Sequence, residues 1–253
     1  MRRSLLLLLC WLLLSPGVWA GASRNFRGGD VDDMIDYGSD TDIDNFSTLT
    51  FAAWILQDAY VDVNGSRIVG KSNSVNTVNK ESGACGTGGD CFQFFSTWSG
   101  ADGDWYTSPD SNVIGVWQFV MVTYNTGATT NDPIIYKNCS AQTIVQEATP
   151  TGTVDADGAI NLRTGNNASP GIREWDGQIA YVHYYSRILT AAECTDIMWN
   201  PGILPASLFE FSPQLGSDSP ELDISGNANT GTVTGATESA LGPATMFGHQ
   251  MPL

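Results

Sequence analysis

Alternating apolar and polar side chains are the feature that most constrains the fold of this chain. Residues 178–185 are the clearest case, because Ile179, Tyr181, His183 and Tyr185 are predicted to share one face of a strand. Further β-rich runs, separated by turn-forming Gly, Asn, Asp or Pro, lie at residues 51–56, 117–124, 134–136 and 159–163. This spacing is typical of antiparallel sheets that face each other, so the sequence predicts an all-β sandwich.

One segment departs from this pattern and carries a helix signature. Thr190 and Glu193 have the spacing of a capping box, in which each side chain accepts a hydrogen bond from the backbone amide of the other residue. The Asn-Pro-Gly sequence at 200–202 ends the segment. We therefore predict a single short helix near residues 190–199.

The N-terminus indicates the compartment. Arg2 and Arg3 precede an apolar run at residues 5–14, and the small residue Ala20 follows. This layout is typical of a secretory signal cleaved after Ala20. An uncleaved membrane anchor is the alternative, but the run has about half of the roughly 20 apolar residues that a span needs. We expect a signal peptide over residues 1–20 and a secreted, soluble mature protein.

The length after that segment bounds the number of domains. The remaining 233 residues are enough for one large β-sandwich or two small domains. The strand and helix signals end before residue 205, and the rest is rich in Ser, Gly and Thr. We predict a sandwich over residues 21–204 and an extension over 205–253, with a closing strand and a Ser/Gly/Thr-rich tail.

The predicted mature chain is strongly acidic, with 9 basic and 27 acidic residues and a net charge of −18. Binding to phosphates depends on clustered Lys and Arg, so this balance argues against nucleic acid and anionic membranes as partners. Acidity favours solubility, and it also supplies the carboxylate oxygens that calcium prefers.

Four cysteines remain after the predicted cleavage: Cys85, Cys91, Cys139 and Cys194. An even number in a secreted chain indicates two disulfides, for which three pairings exist. The Gly-rich stretch at 86–90 can curl tightly enough to join Cys85 to Cys91, which leaves Cys139 for Cys194. A zinc site is the rival interpretation, but this spacing is unusual for zinc ligands and no histidine is near.

Three sequons could carry N-linked glycans, and they begin at Asn45, Asn64 and Asn138. Such motifs also arise by chance in chains rich in Asn, Ser and Thr. The sequence therefore predicts the positions and leaves their occupancy open.

The longest family-like motif lies at residues 175–193, which read Trp-Asp-Gly-Gln-Ile-Ala-Tyr-Val-His-Tyr-Tyr-Ser-Arg-Ile-Leu-Thr-Ala-Ala-Glu. Shorter motifs lie at residues 26–35, 49–55, 117–120 and 222–233. In this order the motifs resemble the laminin-G-like and concanavalin-A-like domains, which include the pentraxin-related jelly rolls. The resemblance implies two antiparallel sheets in a jelly roll, and a rim that binds glycans or protein partners, often with calcium.

Calcium is the one cofactor that this resemblance suggests. It implies a rim site built from Asp33 with loop acids, of which Asp30 and Asp32 are the nearest. The sequence departs from the family pattern at Arg27, where Asn is usual, and at Met34, where an aromatic residue is usual. An EF-hand starting at Asp40 does not fit the required glycine and glutamate positions.

Catalytic motifs are incomplete. Glu174 and Asp176 begin the Glu-x-Asp-x-x-Glu signature of related glucanases, but Ile179 replaces the second Glu, so the general acid is missing. The chain has two histidines, His183 and His249, and no Gly-x-Ser-x-Gly elbow. We therefore predict no catalytic residues and no enzyme activity.

A candidate ligand site lies in the segment 94–106. Stacking aromatics and hydrogen-bonding acids suit a sugar, and the predicted ligand-binding residues are Trp98, Asp102, Asp104, Trp105 and Tyr106. The alternative is a β-hairpin whose Trp side chains belong to the core. The leading functional hypothesis is a recognition module for a glycan or an extracellular protein. A self-associating subunit of a surface or virion-like assembly is the alternative, and a hydrolase relative with an incomplete motif comes third.

Overall fold

The computed structural model describes residues 23–29, 33–60, 65–71, 76–82, 90–109, 111–167, 173–201, 209–211, 220–223 and 225–243. The predicted signal peptide, Asp30, Asp32, Asn64 and Cys85 lie outside these residues. None of the helices in the described ranges is long and apolar enough to span a bilayer.

Within these ranges the elements of the fold are sixteen short strands, one α-helix and one 3-10 turn. In chain order they are β1 (Ser23–Phe26), β2 (Met34–Asp36), the 3-10 turn (Thr41–Ile43), β3 (Thr48–Gln57), β4 (Ser66–Lys71), β5 (Thr77–Ser82), β6 (Asp90–Ser96), β7 (Gly103–Thr107), β8 (Gln118–Asn125), β9 (Ile134–Lys137), β10 (Ser140–Ala141), β11 (Ile144–Ala148), β12 (Leu162–Thr164), β13 (Gly177–Tyr185), α1 (Ala191–Trp199), β14 (Phe209–Phe211), β15 (Thr232–Thr234) and β16 (Thr237–Ser239).

These strands form two antiparallel sheets. Sheet A has the order β10-β9-β8-β3-β13-β1-β16, with β14 also paired to β13, and sheet B has the order β11-β7-β6-β5-β4-β12-β2-β15. The predicted jelly-roll sandwich with one short helix is confirmed.

The main core lies between the sheets. Phe51 and Tyr184 of sheet A stack with ring centroids 4.4 Å apart, and Phe94 and Trp105 of sheet B face them from the other layer of the same buried cluster. Burying an aromatic side chain of this size stabilises the fold by about 1.5–3 kcal/mol. The two apolar inner faces therefore hold the sheets together.

A bulge in β13 changes which residues share a face. The pairing of β13 with β3 shifts register between Ala180 and His183, and Tyr181 takes a positive φ of 49°. Ile179 consequently packs in the inter-sheet core, whereas Tyr181 and Tyr185 pack on the outer face of sheet A. The prediction that Ile179 shares their face is wrong, because the extra residue breaks the alternation.

Helix α1 covers the outer face of sheet A. Ile197 and Met198 pack there in a second, smaller core, and Trp54 Nε1 donates a hydrogen bond to the Met198 carbonyl (3.0 Å). The predicted capping box is confirmed: Thr190 Oγ1 accepts from the Glu193 amide (3.2 Å), and Glu193 Oε2 accepts from the Thr190 amide (2.8 Å). The capped helix thus begins where the apolar layer over sheet A begins.

A disulfide ties the helix to the sheet beneath it. Cys139, in the turn between β9 and β10, is bonded to Cys194 of α1, so this predicted pair is confirmed. Cys91 is also disulfide-bonded, and its predicted partner Cys85 lies outside the described residues.

The C-terminal extension contributes strands to both sheets. β14 pairs with β13, β15 with β2 and β16 with β1. The buried Arg24 of β1 forms an ion pair with Glu221, which is equally buried. The extension is thus built into the sandwich, with β16 and β15 as edge strands of sheets A and B.

Candidate functional site

A line of polar side chains crosses the outer face of sheet B, from β4 to β7. The strand register pairs Arg67 with Asn79, Asn79 with Gln93, and Gln93 with Tyr106. Residues that lie opposite each other on antiparallel strands share a face, and Asp104 shares that of Tyr106 because it is two residues away. We call Arg67, Asn79, Gln93, Asp104 and Tyr106 the polar row.

Their apolar neighbours explain why these side chains point outward. Phe92 and Phe94 flank Gln93, and Trp105 precedes Tyr106; all three apolar residues are fully buried in the inter-sheet core. Because successive side chains alternate between the two faces of a strand, the polar residues between them turn away from that core.

Hydrogen bonds join four members of the row. Asn79 Nδ2 donates to Gln93 Oε1 (2.7 Å), and Gln93 Nε2 donates to Asp104 Oδ1 (2.9 Å) and Tyr106 Oη (2.9 Å). The Tyr106 hydroxyl donates in turn to Asp104 Oδ2 (3.0 Å). These mutual bonds fix the side chains in one arrangement, as a preorganised binding surface requires.

The row is unusually buried for a set of outward-facing polar residues. Arg67 and Asn79 are each 1% exposed, and Gln93 is 4% exposed. Within the described part of the chain, Asn79 Oδ1 has no hydrogen-bond partner. Leaving such an acceptor buried and unsatisfied costs about 1–3 kcal/mol.

Asp104 lies at the better-exposed end of the row and carries its only carboxylate. Burial raises the pKa of this carboxyl to about 6, although hydrogen bonds from Gln93 and Tyr106 oppose the rise. The carboxylate is charged above that pH and accepts from both neighbours. Below it, the neutral acid can donate a hydrogen bond instead.

An aromatic ring lies beside this carboxylate. Phe95 pairs with Asp104 on one side and with Thr77 on the other, and it is partly exposed on the same outer face. A flat apolar ring next to hydrogen-bonding groups suits a ligand with one apolar and several polar faces. The sequence analysis missed Phe95, although the alternation Phe92-Gln93-Phe94-Phe95 gives its face once Phe94 is known to be in the core.

The five predicted ligand-binding residues lie in three different places. Asp104 and Tyr106 lie together in the polar row, but Trp98 and Trp105 are buried between the sheets. Their proposed stacking on a sugar is wrong, because both side chains are buried in the inter-sheet core. The alternative hairpin with core Trp residues is confirmed. Asp102 serves the hairpin turn, since its Oδ1 accepts from the Trp98 amide (2.9 Å).

Asp33, the described member of the predicted calcium set, is engaged by an arginine. Its Oδ2 accepts from the Arg27 amide (2.7 Å) and Nε (3.1 Å), and its Oδ1 accepts from Arg27 Nη2 (2.9 Å). No cluster of three metal-binding side chains occurs in the ranges that the structure describes. Since Asp30 and Asp32 fall outside those ranges, the calcium site stays a prediction.

The incomplete glucanase motif holds backbone instead of lining a cleft. Glu174 Oε2 accepts from the Gly29 amide (2.7 Å), and Asp176 Oδ1 accepts from the Gly28 amide (3.0 Å). Ile179, at the position of the missing acid, is fully buried in the core. This segment therefore positions the chain between β1 and β2.

His183 is also unsuited to acid–base chemistry. Complete burial lowers the pKa of its imidazole to about 3, so the ring is neutral at physiological pH. A general base works best with a pKa near the working pH. His183 is thus part of the packing on the outer face of sheet A.

Two predicted glycosylation sites lie on the surface. Asn45 and Asn138 are both exposed, in loops outside the strands. Asn138 Oδ1 accepts from the Phe119 amide (2.8 Å). Their occupancy, and that of Asn64, stays a prediction.

The comparisons with known proteins agree with this architecture. A laminin G family model, described as the concanavalin A-like lectin/glucanases superfamily, matches residues 28–195. A candidate carbohydrate-binding protein from Bacteroides ovatus superposes with a TM-score of 0.68 at 18% identity, over 89% of this chain and 61% of that one. A heptameric SAP-like pentraxin from Limulus polyphemus superposes with a TM-score of 0.56 at 13% identity, over 85% of this chain and 95% of the pentraxin chain.

These identities bear on the fold alone, and this chain spans 61% of the length of the Bacteroides protein. The search of curated proteins gives no match. The family model covers well over half of the chain and includes the strands of the polar row. The chain therefore belongs to the concanavalin A-like lectin/glucanases superfamily.

Proposed function

We propose that this protein is a secreted, non-catalytic recognition module that binds a glycan at the polar row. The observation that carries the proposal is the hydrogen-bonded row whose better-exposed end, at Asp104, lies beside the partly exposed Phe95. Apolar burial alone can stabilise a sandwich, so the fold does not require a row of buried polar side chains. Ligand binding is a physical reason for such a row to be present.

Sugar chemistry matches this surface. Hydroxyl groups both donate and accept, so a sugar hydroxyl can donate to the partly exposed Asp104 carboxylate. The C–H face of a sugar ring is apolar and can lie on Phe95. A site built from buried polar groups also rejects ligands that leave those groups unpaired, which makes such a surface selective.

The comparisons support this proposal through the fold. The family includes lectins by its description, and the Bacteroides relative is a candidate carbohydrate-binding protein. Binding sites in related folds can differ, so the ligand class rests on the residues of this chain.

The test is a glycan-array screen with the full mature chain, followed by titration of any glycan retained. We expect Gln93→Ala to weaken binding at least tenfold, because Gln93 bonds three other members of the row. Gln146→Ala, on the exposed edge strand β11, is the matched control and should leave affinity unchanged. Equal binding by both variants, or no glycan retained at all, contradicts the proposal. The screen is repeated with EDTA, and loss of binding there indicates the predicted calcium.

A hydrolase is the rival to a binding module. Retaining and inverting glycosidases both use two carboxyl groups, roughly 5–10 Å apart, and the polar row contains one. We expect the protein to release no new reducing ends from a glycan that it binds. Turnover that disappears in Asp104→Asn would replace the binding module with an enzyme.

Two further expectations depend on material from the source cell. N-terminal sequencing should begin at Gly21 if the signal is cleaved as predicted. Light scattering after size exclusion should give a monomer at all concentrations, and growth of the particle with concentration would favour the assembly alternative.

A further inference from the structure

A concave surface lies at one end of the sandwich, beyond the Phe95 end of the polar row. This cleft has a volume of about 210 Å³. We call it the end cleft, and it is lined by Asn45, Phe46, Ser47, Asn76, Thr126, Val154, Asp155, Ala156 and Asp157. Its walls come from the loop before β3, the residue after β8, the entry to β5 and the segment between β11 and β12.

Hydrogen bonds hold these walls in place. The Asn45 amide donates to Asp157 Oδ1 (2.5 Å), and the Asp157 amide donates to Asn45 Oδ1 (3.1 Å). The Thr126 amide donates to the Ser47 carbonyl (2.9 Å), which ties the other side of the cleft. The cleft is therefore part of the folded framework, with backbone atoms fixed on two sides.

The lining offers both hydrogen-bonding and apolar contacts. Asn76 Oδ1 accepts from Ser96 Oγ (2.8 Å), an arrangement that leaves its Nδ2 hydrogens for a ligand. Phe46 is half-buried and meets Tyr184 edge-on at 5.8 Å, so its ring is held as an apolar wall with Val154.

Charge restricts what the end cleft can hold. Asp155 is exposed and Asp157 is buried, and the nine lining residues include no Lys, Arg or His. The nearby Lys71 already forms a buried ion pair with Asp44. Burial raises the pKa of the Asp157 carboxyl, although its hydrogen bond from Asn45 and the nearby Lys71 oppose the rise. Although this rise reduces the charge of Asp157, the exposed Asp155 and the lack of a positive side chain in the lining disfavour an anionic ligand.

Size restricts the ligand further. Sites for drug-sized molecules usually measure about 300–1,000 Å³, so the end cleft suits a smaller molecule. Combined with the polar lining, the single aromatic wall and the negative charge, this points to one ring rich in hydroxyl groups. We propose that the end cleft binds a single sugar residue that carries no negative charge, at a site separate from the polar row.

The proposal is tested by titrating ¹⁵N-labelled protein with three small probes: methyl glucoside, glucosamine and glucuronate. The protein is produced without N-glycosylation so that no glycan is attached at Asn45. We expect saturable shifts of the Asn45 and Asp157 amide signals with methyl glucoside or glucosamine, and at least tenfold weaker binding of glucuronate.

Plug variants test whether the shifted signals arise from binding inside the end cleft. Ala156→Arg and, independently, Ser47→Arg place a long side chain at the opening and should abolish the shifts. Ala159→Arg, in the same exposed segment outside the lining, should not. Spectra that keep their dispersion elsewhere show that each variant is folded.

Three results would overturn the proposal: no saturable shift with either permitted probe, equal binding of glucuronate, or shifts that persist in both plug variants. Asn79→Ala separates the two sites, since it should weaken binding at the polar row and leave the end-cleft shifts unchanged. The end-cleft result thus stands or falls independently of the glycan array.

Discussion

The outer faces of the two sheets differ in a way that separates stability from recognition. On sheet A, apolar side chains such as Trp54 and Tyr185 lie under helix α1, and a disulfide fixes that helix. On sheet B, the corresponding positions carry Arg67, Asn79 and Gln93, the last two of which are hydrogen-bonded to each other in the polar row. Both faces are buried, but only the first gains hydrophobic free energy from burial.

This difference shows which sheet face contributes unfavourably to the free energy of folding. Burying polar groups with incomplete hydrogen bonding is unfavourable, and proteins retain such groups mainly at functional sites. The apolar layer under α1 offsets that cost. Substitutions on sheet A should therefore affect stability first, and substitutions on sheet B should affect binding first.

The largest expected effect is the loss of the bond between α1 and sheet A. Replacing both Cys139 and Cys194 by Ser should lower the free energy of unfolding by about 2–4 kcal/mol, because the bond joins residues that are 55 positions apart. Urea denaturation monitored by tryptophan fluorescence measures the change. Glycan affinity of the folded fraction should stay the same, and a parallel loss of affinity would show that the two faces are not independent.

Acid should weaken the same layer through His183. The folded pKa is lowered from 6.5 to about 3, so between these values the unfolded chain binds a proton that the folded chain excludes. Stability from this group is complete above pH 6.5 and is lost as pH falls toward 3, at about 1.4 kcal/mol per pH unit.

Comparing wild type with His183→Gln isolates this contribution from that of the carboxyl groups. The difference in unfolding free energy between the two proteins should change by about 2 kcal/mol from about pH 7 to about pH 5, in the direction that favours the variant at low pH. A constant difference across that range would mean that the imidazole of His183 takes up its proton at the same pH in the folded and the unfolded protein.

On sheet B, a substitution should change glycan affinity more than it changes stability. Asn79→Ala removes the hydrogen bonds from Asn79 Nδ2 to Gln93 Oε1 (2.7 Å) and Thr77 Oγ1 (3.3 Å), but it also removes an acceptor that has no partner among the described residues. These changes oppose each other, so the net loss of stability should be only about 1 kcal/mol. Glycan affinity should fall about tenfold. Thermal unfolding and titration of the same samples give both quantities. A destabilised variant with normal affinity would assign Asn79 to the structure alone.

The sequence predicted the layers better than it predicted the two outer faces. The all-β class, the capping box at Thr190 and the pairing of Cys139 with Cys194 depend on local spacing or simple counting, and each matches the structure. Alternation says which residues share a face but not which face is inward. Trp105 was therefore placed in the ligand site, and Phe95 on the neighbouring strand was missed.

Tertiary context decided the remaining cases. The bulge at Tyr181 moves Ile179 into the inter-sheet core, and a single extra residue leaves no strong sequence signal. The end cleft could not be predicted from the sequence either, since its walls bring together Asn45 and Asp157, which are 112 positions apart in the chain. Neither residue is distinctive by type, and only the fold brings them together.

The smallest expected effect, and the one that tests the chemistry of the polar row most directly, concerns Asp104. Its pKa is raised to about 6, and a sugar hydroxyl that donates to Asp104 prefers the charged carboxylate. Affinity should therefore fall a few-fold as the pH drops from one unit above that pKa to one unit below it. Asp104→Asn is neutral at every pH, so its affinity should show no such step and should resemble that of the wild type at low pH.

Two outcomes of this titration would change the assignment of Asp104. Tighter binding by the wild type in acid would mean that the protonated carboxyl donates to the ligand, and an identical pH profile in the two proteins would place the glycan away from Asp104. Because the pKa of Asp104 is raised in the folded protein, the wild type should gain stability relative to Asp104→Asn as the pH falls through about 6, so affinity is compared at a temperature at which both proteins are fully folded. The affinity step then reports on the outer face of sheet B alone.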